Sequence, residues 1–249
     1  MTLRRSIEAQ GNWLFKRRGL LPLLILPLFV AAVGSVESSE NAAADNLELW
    51  YQLAGLTIAF VGLMLRAYTV GTAPRGTSGR NIASQEASTL NTTGMYSIVR
   101  HPLYLGNYLI LLGCAIFTGS VWLPVVTSLM FWPYYERIAF AEEEYLLSRF
   151  GEQFTEWADR TPAFLPRFPR WQPPVLAFSW RTVLKREYGA FLTILAVCSL
   201  SEVYGDLIFD TQPHLETVWA AVLAVAVVVA LTLRWLKRRT TLLNVEGRP

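Results

Sequence analysis

The residues of this chain whose types and spacing suggest chemistry most directly run from Gly94 to Tyr108: Gly-Met-Tyr-Ser-Ile-Val-Arg-His-Pro-Leu-Tyr-Leu-Gly-Asn-Tyr. Pro102 suits the first turn of a helix, where its missing N–H leaves nothing unsatisfied. A helix is therefore predicted to begin at the Arg100-His101 pair. On it His101, Tyr104, Leu105 and Tyr108 fall at i, i+3, i+4 and i+7 and share one face. That face carries an imidazole and two phenols beside a guanidinium. A second group follows at Ala141-Glu142-Glu143-Glu144-Tyr145. Three successive carboxylates point in different directions on a helix, so at least one turns inward. Taken singly, the first group reads as an interfacial aromatic belt with a snorkelling arginine, and the second as a solvated acidic face. Taken together, they open and close one helical hairpin and face each other across its mouth. Cationic donors, carboxylates and aromatic faces in one pocket suit a ligand with a carboxylate, an amine or hydroxyls, and a desolvated cation.

The elements that must position these residues are membrane spans. Of the 249 residues 53% are apolar and only 16% charged, against about 25% charged in an ordinary soluble domain. This excludes a soluble globular protein, a disordered chain and a disulfide scaffold, and nothing in the charge distribution suggests a nucleic-acid partner. A span needs roughly 20 mostly apolar residues. Candidates are Gly19–Val36, Leu49–Leu65, the uncharged run Pro102–Tyr135 split near Gly119-Ser120 into two spans, Tyr188–Phe209 and Val218–Leu233. Basic residues collect in the N-terminal arm, in Arg66–Arg100, in Glu136–Glu187 and in the tail. The connections holding Glu37, Glu40, Asp45 and Glu48, and Asp206, Asp210 and Glu216, have no basic residue. The positive-inside rule then predicts an all-α, polytopic membrane helix bundle of about six transmembrane helices with both termini cytoplasmic. A rival reading makes the first apolar run a cleaved signal peptide ending near Ala31-Ala32. Cys114 and Cys198 lie in apolar stretches and are expected as buried thiols, and no metal site is expected.

At this point the sequence resembles the isoprenylcysteine carboxyl methyltransferase and phospholipid methyltransferase group of integral membrane enzymes. The resemblance rests on Gly94, Tyr96, Arg100, His101, Pro102, Tyr104 and Gly106, then a membrane hairpin, then Glu142, Glu143, Leu146, Phe150, Gly151 and a closing Pro166. It spans Gly62 to Pro166. It implies S-adenosylmethionine as cofactor, bound at the cytoplasmic mouth of the membrane helices by Tyr96, Arg100, His101, Tyr104, Leu105, Glu142 and Glu143. Arg100 would be available for the cofactor's carboxylate, and Glu142 and Glu143 for its amine or ribose hydroxyls. No glycine-rich strand-turn-helix fingerprint of a soluble nucleotide-binding methyltransferase occurs. The chain accordingly divides into residues 1–61, an arm and two spans; residues 62–166, a methyltransferase core; and residues 167–249, a linker rich in Pro and Trp, expected along the membrane surface, followed by a C-terminal hairpin.

The acceptor of the methyl group is sought in Arg66 to Ser88, above all in Gly71-Thr-Ala-Pro-Arg-Gly-Thr-Ser-Gly-Arg-Asn81. Arg75, Arg80 and Asn81, with Arg66 at the end of an apolar helix, suit an oxyanion better than a cation. The plainer alternative is a positive-inside loop meeting acidic headgroups, with Arg66 as an anchor. The expected substrate is a lipid or lipid-linked molecule with an anionic phosphate or carboxylate, a lipid A-type phosphate being one example. A phospholipid amine N-methyltransferase and a non-enzymatic transport or assembly protein are the competing readings. The sequence leaves the oligomeric state open.

Overall fold

The computed structural model describes residues 2–35, 42–77, 88–209 and 213–248. Among the described residues eight α-helices follow one another: α1 (Leu3–Lys16), α2 (Leu20–Val33), α3 (Ala42–Thr72), α4 (Pro102–Phe117), α5 (Trp122–Phe150), α6 (Glu152–Arg160), α7 (Trp180–Phe209) and α8 (Pro213–Arg239). There is no strand among the described residues, apart from one isolated bridge between Gly94 and Gln172. Among the described residues three helical segments are long and apolar enough to cross a membrane: Leu47–Thr72, Trp180–Ile208 and Thr217–Arg239. Leu23–Val33 and Pro102–Phe117 form shorter apolar helices.

The protein is a helical integral membrane protein, and each apolar run read from the sequence has a helix over most of its described residues. The lengths differ from expectation in two places. Helix α4 has 16 residues, about 24 Å at the usual rise, short of a hydrocarbon core of about 30 Å. Helix α5 has 29 residues and continues well past Tyr135 into charged sequence. The hairpin turns where the sequence placed it, with Gly119 at φ 71°. That left-handed conformation is open to glycine and strained for most other residues. Because α5 continues as one helix through Pro133, Glu142 and Glu143 lie on the same helix as the hairpin's second arm.

Helices α3 and α4 pack backbone to backbone. Their contact is built from two pairs of glycines with the same seven-residue spacing, Gly55 and Gly62 on α3 and Gly106 and Gly113 on α4. A Cβ on Gly62 would lie 2.7 Å from the Gly106 carbonyl oxygen, and one on Gly55 would lie 2.6 Å from that of Gly113. Small residues at such spacing replace the hydrophobic driving force that helices lack in lipid. Helix α7 lies along α3 and forms a hairpin with α8, while α1 lies along α5. The buried core gathers Phe117, Phe131, Ile138, Leu123, Ile194 and Cys198 from several of these helices, and both cysteines are buried free thiols. The outer faces of α2 and α8 expose Leu23, Leu24, Leu26, Val225, Val228 and Leu231, as lipid-facing surfaces do.

Candidate functional site

Pro102 is the first residue of α4 and His101 its N-cap. The approach to that cap is fixed by backbone hydrogen bonds from another part of the chain. Arg100 N–H donates to the Pro162 carbonyl at 2.9 Å, His101 N–H to the Ala163 carbonyl at 3.1 Å, and Arg167 N–H to the Ile98 carbonyl at 2.9 Å. The Trp157 indole N–H adds a bond to the Tyr96 carbonyl at 2.9 Å. The Arg-His pair is therefore held between the start of α4 and the segment after α6.

Across the mouth of the hairpin stand the carboxylates of α5. His101 Nε2 lies 2.8 Å from Glu143 Oε1, and Nδ1 lies 3.7 Å from Glu142 Oε2. The Tyr104 hydroxyl donates to Glu142 Oε2 at 2.9 Å. Arg100 Nη1 donates to the Ala158 carbonyl at 3.0 Å. Its Nε lies 3.1 Å from Glu143 Oε1, but it is not aligned for a hydrogen bond and remains a buried donor without an acceptor. The His101 side chain is only 5% exposed, whereas Glu142 and Glu143 keep 35% and 26% of their surface open. Burial alone would raise the Glu143 pKa, but the hydrogen bond from His101 and the charges of His101 and Arg100 outweigh it and hold the carboxyl below its ordinary range.

An aromatic wall backs this mouth. The His101 ring stacks on Tyr104 with centroids 5.4 Å apart and meets Phe164 at 5.6 Å. Tyr104 meets Tyr135 at 5.0 Å, and Tyr135 stacks on Phe131 at 4.1 Å. Tyr108, one turn further on, is bonded to Ser128 at 2.9 Å and packs on Phe131. Leu105 is partly buried on the same helix. Tyr96 has a partly accessible ring, and its hydroxyl lies deep among protein atoms. Burial pushes that hydroxyl well above its ordinary pKa; Glu142 adds to the rise, while Arg186 and Arg66 oppose it. A cleft of about 510 Å³ opens behind Arg100, lined among others by Thr161, Pro162, Pro166, Arg167 and Phe168.

The acceptor-side residues fall differently. The Arg66 side chain is 12% exposed and fully directed. Nε and Nη2 donate to Glu187 at 2.7 and 3.0 Å, and Nη1 donates to Asn107 Oδ1. Asn107 Nδ2 in turn donates to the Tyr135 hydroxyl at 3.2 Å. Arg75 is exposed, and its backbone N–H donates to the Gly247 carbonyl at 2.9 Å. Arg80 and Asn81 lie outside the described residues. So the structure brings Arg100, His101, Tyr104, Glu142 and Glu143 together, as the spacing predicts. It also adds Asn107, Tyr135, Phe164 and Glu187, which the sequence reading assigned no role. Asn107 could have been noticed as a lone amide inside an uncharged helix. Glu187, next to an apolar run, reads only as a boundary.

Residues 50–153 match the phospholipid methyltransferase family. This segment of the chain is similar to that family over less than half of the chain's length. It contains Arg66, Arg100, His101, Tyr104, Glu142 and Glu143, and it ends before Phe164 and Glu187. The chain is similar to the nickel-cobalt-cadmium resistance protein NccN of Alcaligenes xylosoxydans xylosoxydans, 35% identical over 120 residues, 48% of this chain and 54% of that protein. It is similar to the cobalt-zinc-cadmium resistance protein CzcN of Cupriavidus metallidurans, 39% identical over 118 residues, 47% of this chain and 52% of that protein. It is also similar to protein-S-isoprenylcysteine O-methyltransferase B of Arabidopsis thaliana, 34% identical over 119 residues, 47% of this chain and 60% of that protein. The chain spans about half the length of the curated relatives it matches. No solved structure matches it.

Proposed function

We propose that the protein is an S-adenosylmethionine-dependent membrane methyltransferase whose acceptor is the anionic headgroup, carboxylate or phosphate, of a lipid or lipid-linked substrate. The observation that carries this reading is the convergence at the α4–α5 mouth of Arg100, His101, Tyr104, Glu142 and Glu143, with the part-buried Arg66 linked to it through Asn107 and Tyr135. The donor set fits the cofactor. Glu142 and Glu143 are partly open and suit an ammonium or ribose hydroxyls, the unaligned Nε of Arg100 suits a carboxylate, and the Tyr104 and Tyr135 faces suit a sulfonium. Tyr96, His101 and Leu105 complete the proposed cofactor residues. When bound, the cofactor supplies an electrophilic methyl group on a sulfonium, released as a neutral thioether once an acceptor oxygen has taken the methyl.

The protein's own task is then to bind, align and keep water out. A carboxylate or phosphate is ionised at neutral pH, so no general base is required, and none of the residues at the mouth is assigned that role. Arg66 uses three of its five N–H donors on Glu187 and Asn107, leaving one on each terminal nitrogen for an acceptor oxygen. Arg75, Arg80 and Asn81 are proposed to hold the rest of the headgroup. The basic distribution supports a cytoplasmic active-site face with both termini on that side, and the chain is proposed to keep the threefold division 1–61, 62–166 and 167–249. A phospholipid amine N-methyltransferase is the second reading, favoured by the aromatic wall and the two open carboxylates, which suit a cationic headgroup.

The test is direct. The purified protein is incubated with radiolabelled S-adenosylmethionine and a total membrane lipid extract, and the labelled species is identified by mass spectrometry. A labelled ester of a carboxylate or phosphate is the expected result. Labelled methylamine headgroups would support the second reading, and no transfer to any lipid would argue for the non-enzymatic alternative.

A further inference from the structure

The acceptor side of the site depends on a residue that lies outside the family segment. Glu187 sits near the N-terminal end of α7, in the C-terminal part that residues 50–153 do not include. Its side chain is 4% exposed, and that of its partner Arg66 12%. The two form a side-on pair, with Nε and Nη2 each on a different carboxylate oxygen. Such a pair fixes the guanidinium plane and not merely its position.

The third nitrogen extends the order into the hairpin. With Nη1 on Asn107 Oδ1, the Asn107 amide must present Nδ2 to the Tyr135 hydroxyl. Tyr135 lies against Tyr104, whose hydroxyl is on Glu142. A continuous series of contacts therefore runs from α7 through Arg66, Asn107, Tyr135 and Tyr104 to the proposed cofactor mouth. The packing leaves space for it: a Cβ on Gly106 would collide with Cγ of Arg66, so glycine at that position gives the arginine stem its path between α3 and α4.

A buried ion pair is a weak device for stability, since an apolar pair of similar volume often holds a fold as well. A guanidinium held in one plane with N–H donors to spare is, by contrast, what recognition of an oxyanion requires. Resting on the acceptor reading above, we propose that Glu187 is a positioning residue for the acceptor: it sets the orientation of Arg66 and thereby makes the α7–α8 hairpin a working part of the acceptor chamber.

The experiment uses the full chain in lipid nanodiscs, with N-acetyl-S-farnesylcysteine as a prenyl-linked carboxylate probe and phosphatidate as a lipid phosphate probe. Cofactor affinity is measured by calorimetry, and acceptor KM and kcat at saturating cofactor. Glu187→Gln keeps the shape, halves the acceptor capacity and removes the charge. It should leave cofactor affinity within about twofold and raise acceptor KM by roughly ten- to a hundredfold. Glu187→Asp, which keeps the charge at a shorter reach, should recover part of the loss. Arg66→Lys should resemble Glu187→Gln, and the double variant should be no worse than the poorer single one, because both remove the same oriented fork. Additive losses, or an equal fall in cofactor affinity, would mark Glu187 as packing only. Unchanged acceptor KM in Glu187→Gln beside an impaired Arg66→Lys overturns the role of Glu187 alone. Unchanged acceptor KM in Arg66→Lys, or no methylation of either probe by the unaltered protein, overturns the acceptor reading and this inference with it. Should Glu187→Gln not fold, Glu187→Asp decides: a raised acceptor KM with intact cofactor affinity supports the proposal, and an unchanged KM overturns it.

Discussion

His101 Nε2 lies 2.8 Å from Glu143 Oε1, joining the N-cap of one membrane helix to the C-terminal extension of the next. One turn on, Tyr104 makes the matching contact to Glu142. The two arms of the hairpin are thus fastened at the place proposed for the cofactor. His101→Ala and Glu142→Ala should each weaken S-adenosylmethionine binding by roughly 10- to 150-fold, the loss expected for about 1.5–3 kcal/mol of charge-assisted hydrogen bonding. Calorimetry on the extracted, folded variants measures this. Undiminished affinity in both would remove the cofactor from this mouth.

The surroundings of Glu143 make a statement about acid stability. The pKa of Glu143 is lowered on folding, so its contribution is fully present above the ordinary carboxylate value of 4.5 and is lost as pH falls through the lower native value. Melting temperature measured from neutral pH downwards should therefore fall in the acid range. The Glu143→Gln variant, already lacking the charge, should fall less steeply. Parallel curves for the two proteins would mean that the Glu143 pair contributes nothing to the folded state.

Much of this site was legible because its signals are local. Pro102 marks the start of a helix, Gly119-Ser120 marks a turn, and the spacing of His101, Tyr104 and Glu142-Glu143 places them at one mouth. What stayed hidden depends on long-range packing. Nothing around Glu187 suggests that α7 lies against α3 or that its carboxylate faces Arg66, 121 positions earlier in the chain. Phe164 is likewise brought to His101 by backbone bonds of the 162–163 segment, which no periodicity reports. The extension of α5 to Phe150 was obscured because hydropathy locates where a span leaves the apolar layer, while the helix itself continues.

Packing at the glycine seam predicts a stability effect away from the chemistry. A Cβ on Gly113 would collide with the Ala59 nitrogen and lie 2.5 Å from the Gly55 carbonyl oxygen. Backbone atoms cannot yield as a side chain can, so α3 and α4 would have to separate. Gly113→Ala should cost about 1–3 kcal/mol, read as a lowered unfolding midpoint in detergent. A midpoint equal to that of the unaltered protein would show that the helices are not held this closely.

Orientation in the membrane is open to labelling. Cys114 and Cys198 are buried and should stay silent. Val121, 79% exposed at the hairpin tip, and Ser148, exposed near the end of α5, lie at opposite ends of one helix. In intact cells Val121→Cys should react with an impermeant maleimide and Ser148→Cys only after permeabilisation. The reverse pattern would turn the protein over and place the proposed site away from the cytosol.

The nature of the acceptor can be read from the pH dependence of turnover together with the loop arginines. An anionic oxygen acceptor is already deprotonated, so turnover should be nearly flat between about pH 7 and 9. An amine acceptor should instead accelerate as pH rises toward a pKa near that of lysine, about 10.4. The side chain of Arg75 is exposed while its backbone is held by Gly247, so Arg75→Gln should leave the local fold intact. Arg75→Gln and Arg80→Gln should keep cofactor affinity and lose turnover. Arg→Lys should restore only part of it, because an ammonium cannot form the two-pronged contact of a guanidinium. Rate profiles of the unaltered protein and both Gln variants, measured at saturating cofactor, decide between the readings. A steep rise with pH combined with full activity in both Gln variants would sink the anionic acceptor and leave amine methylation as the function of the site.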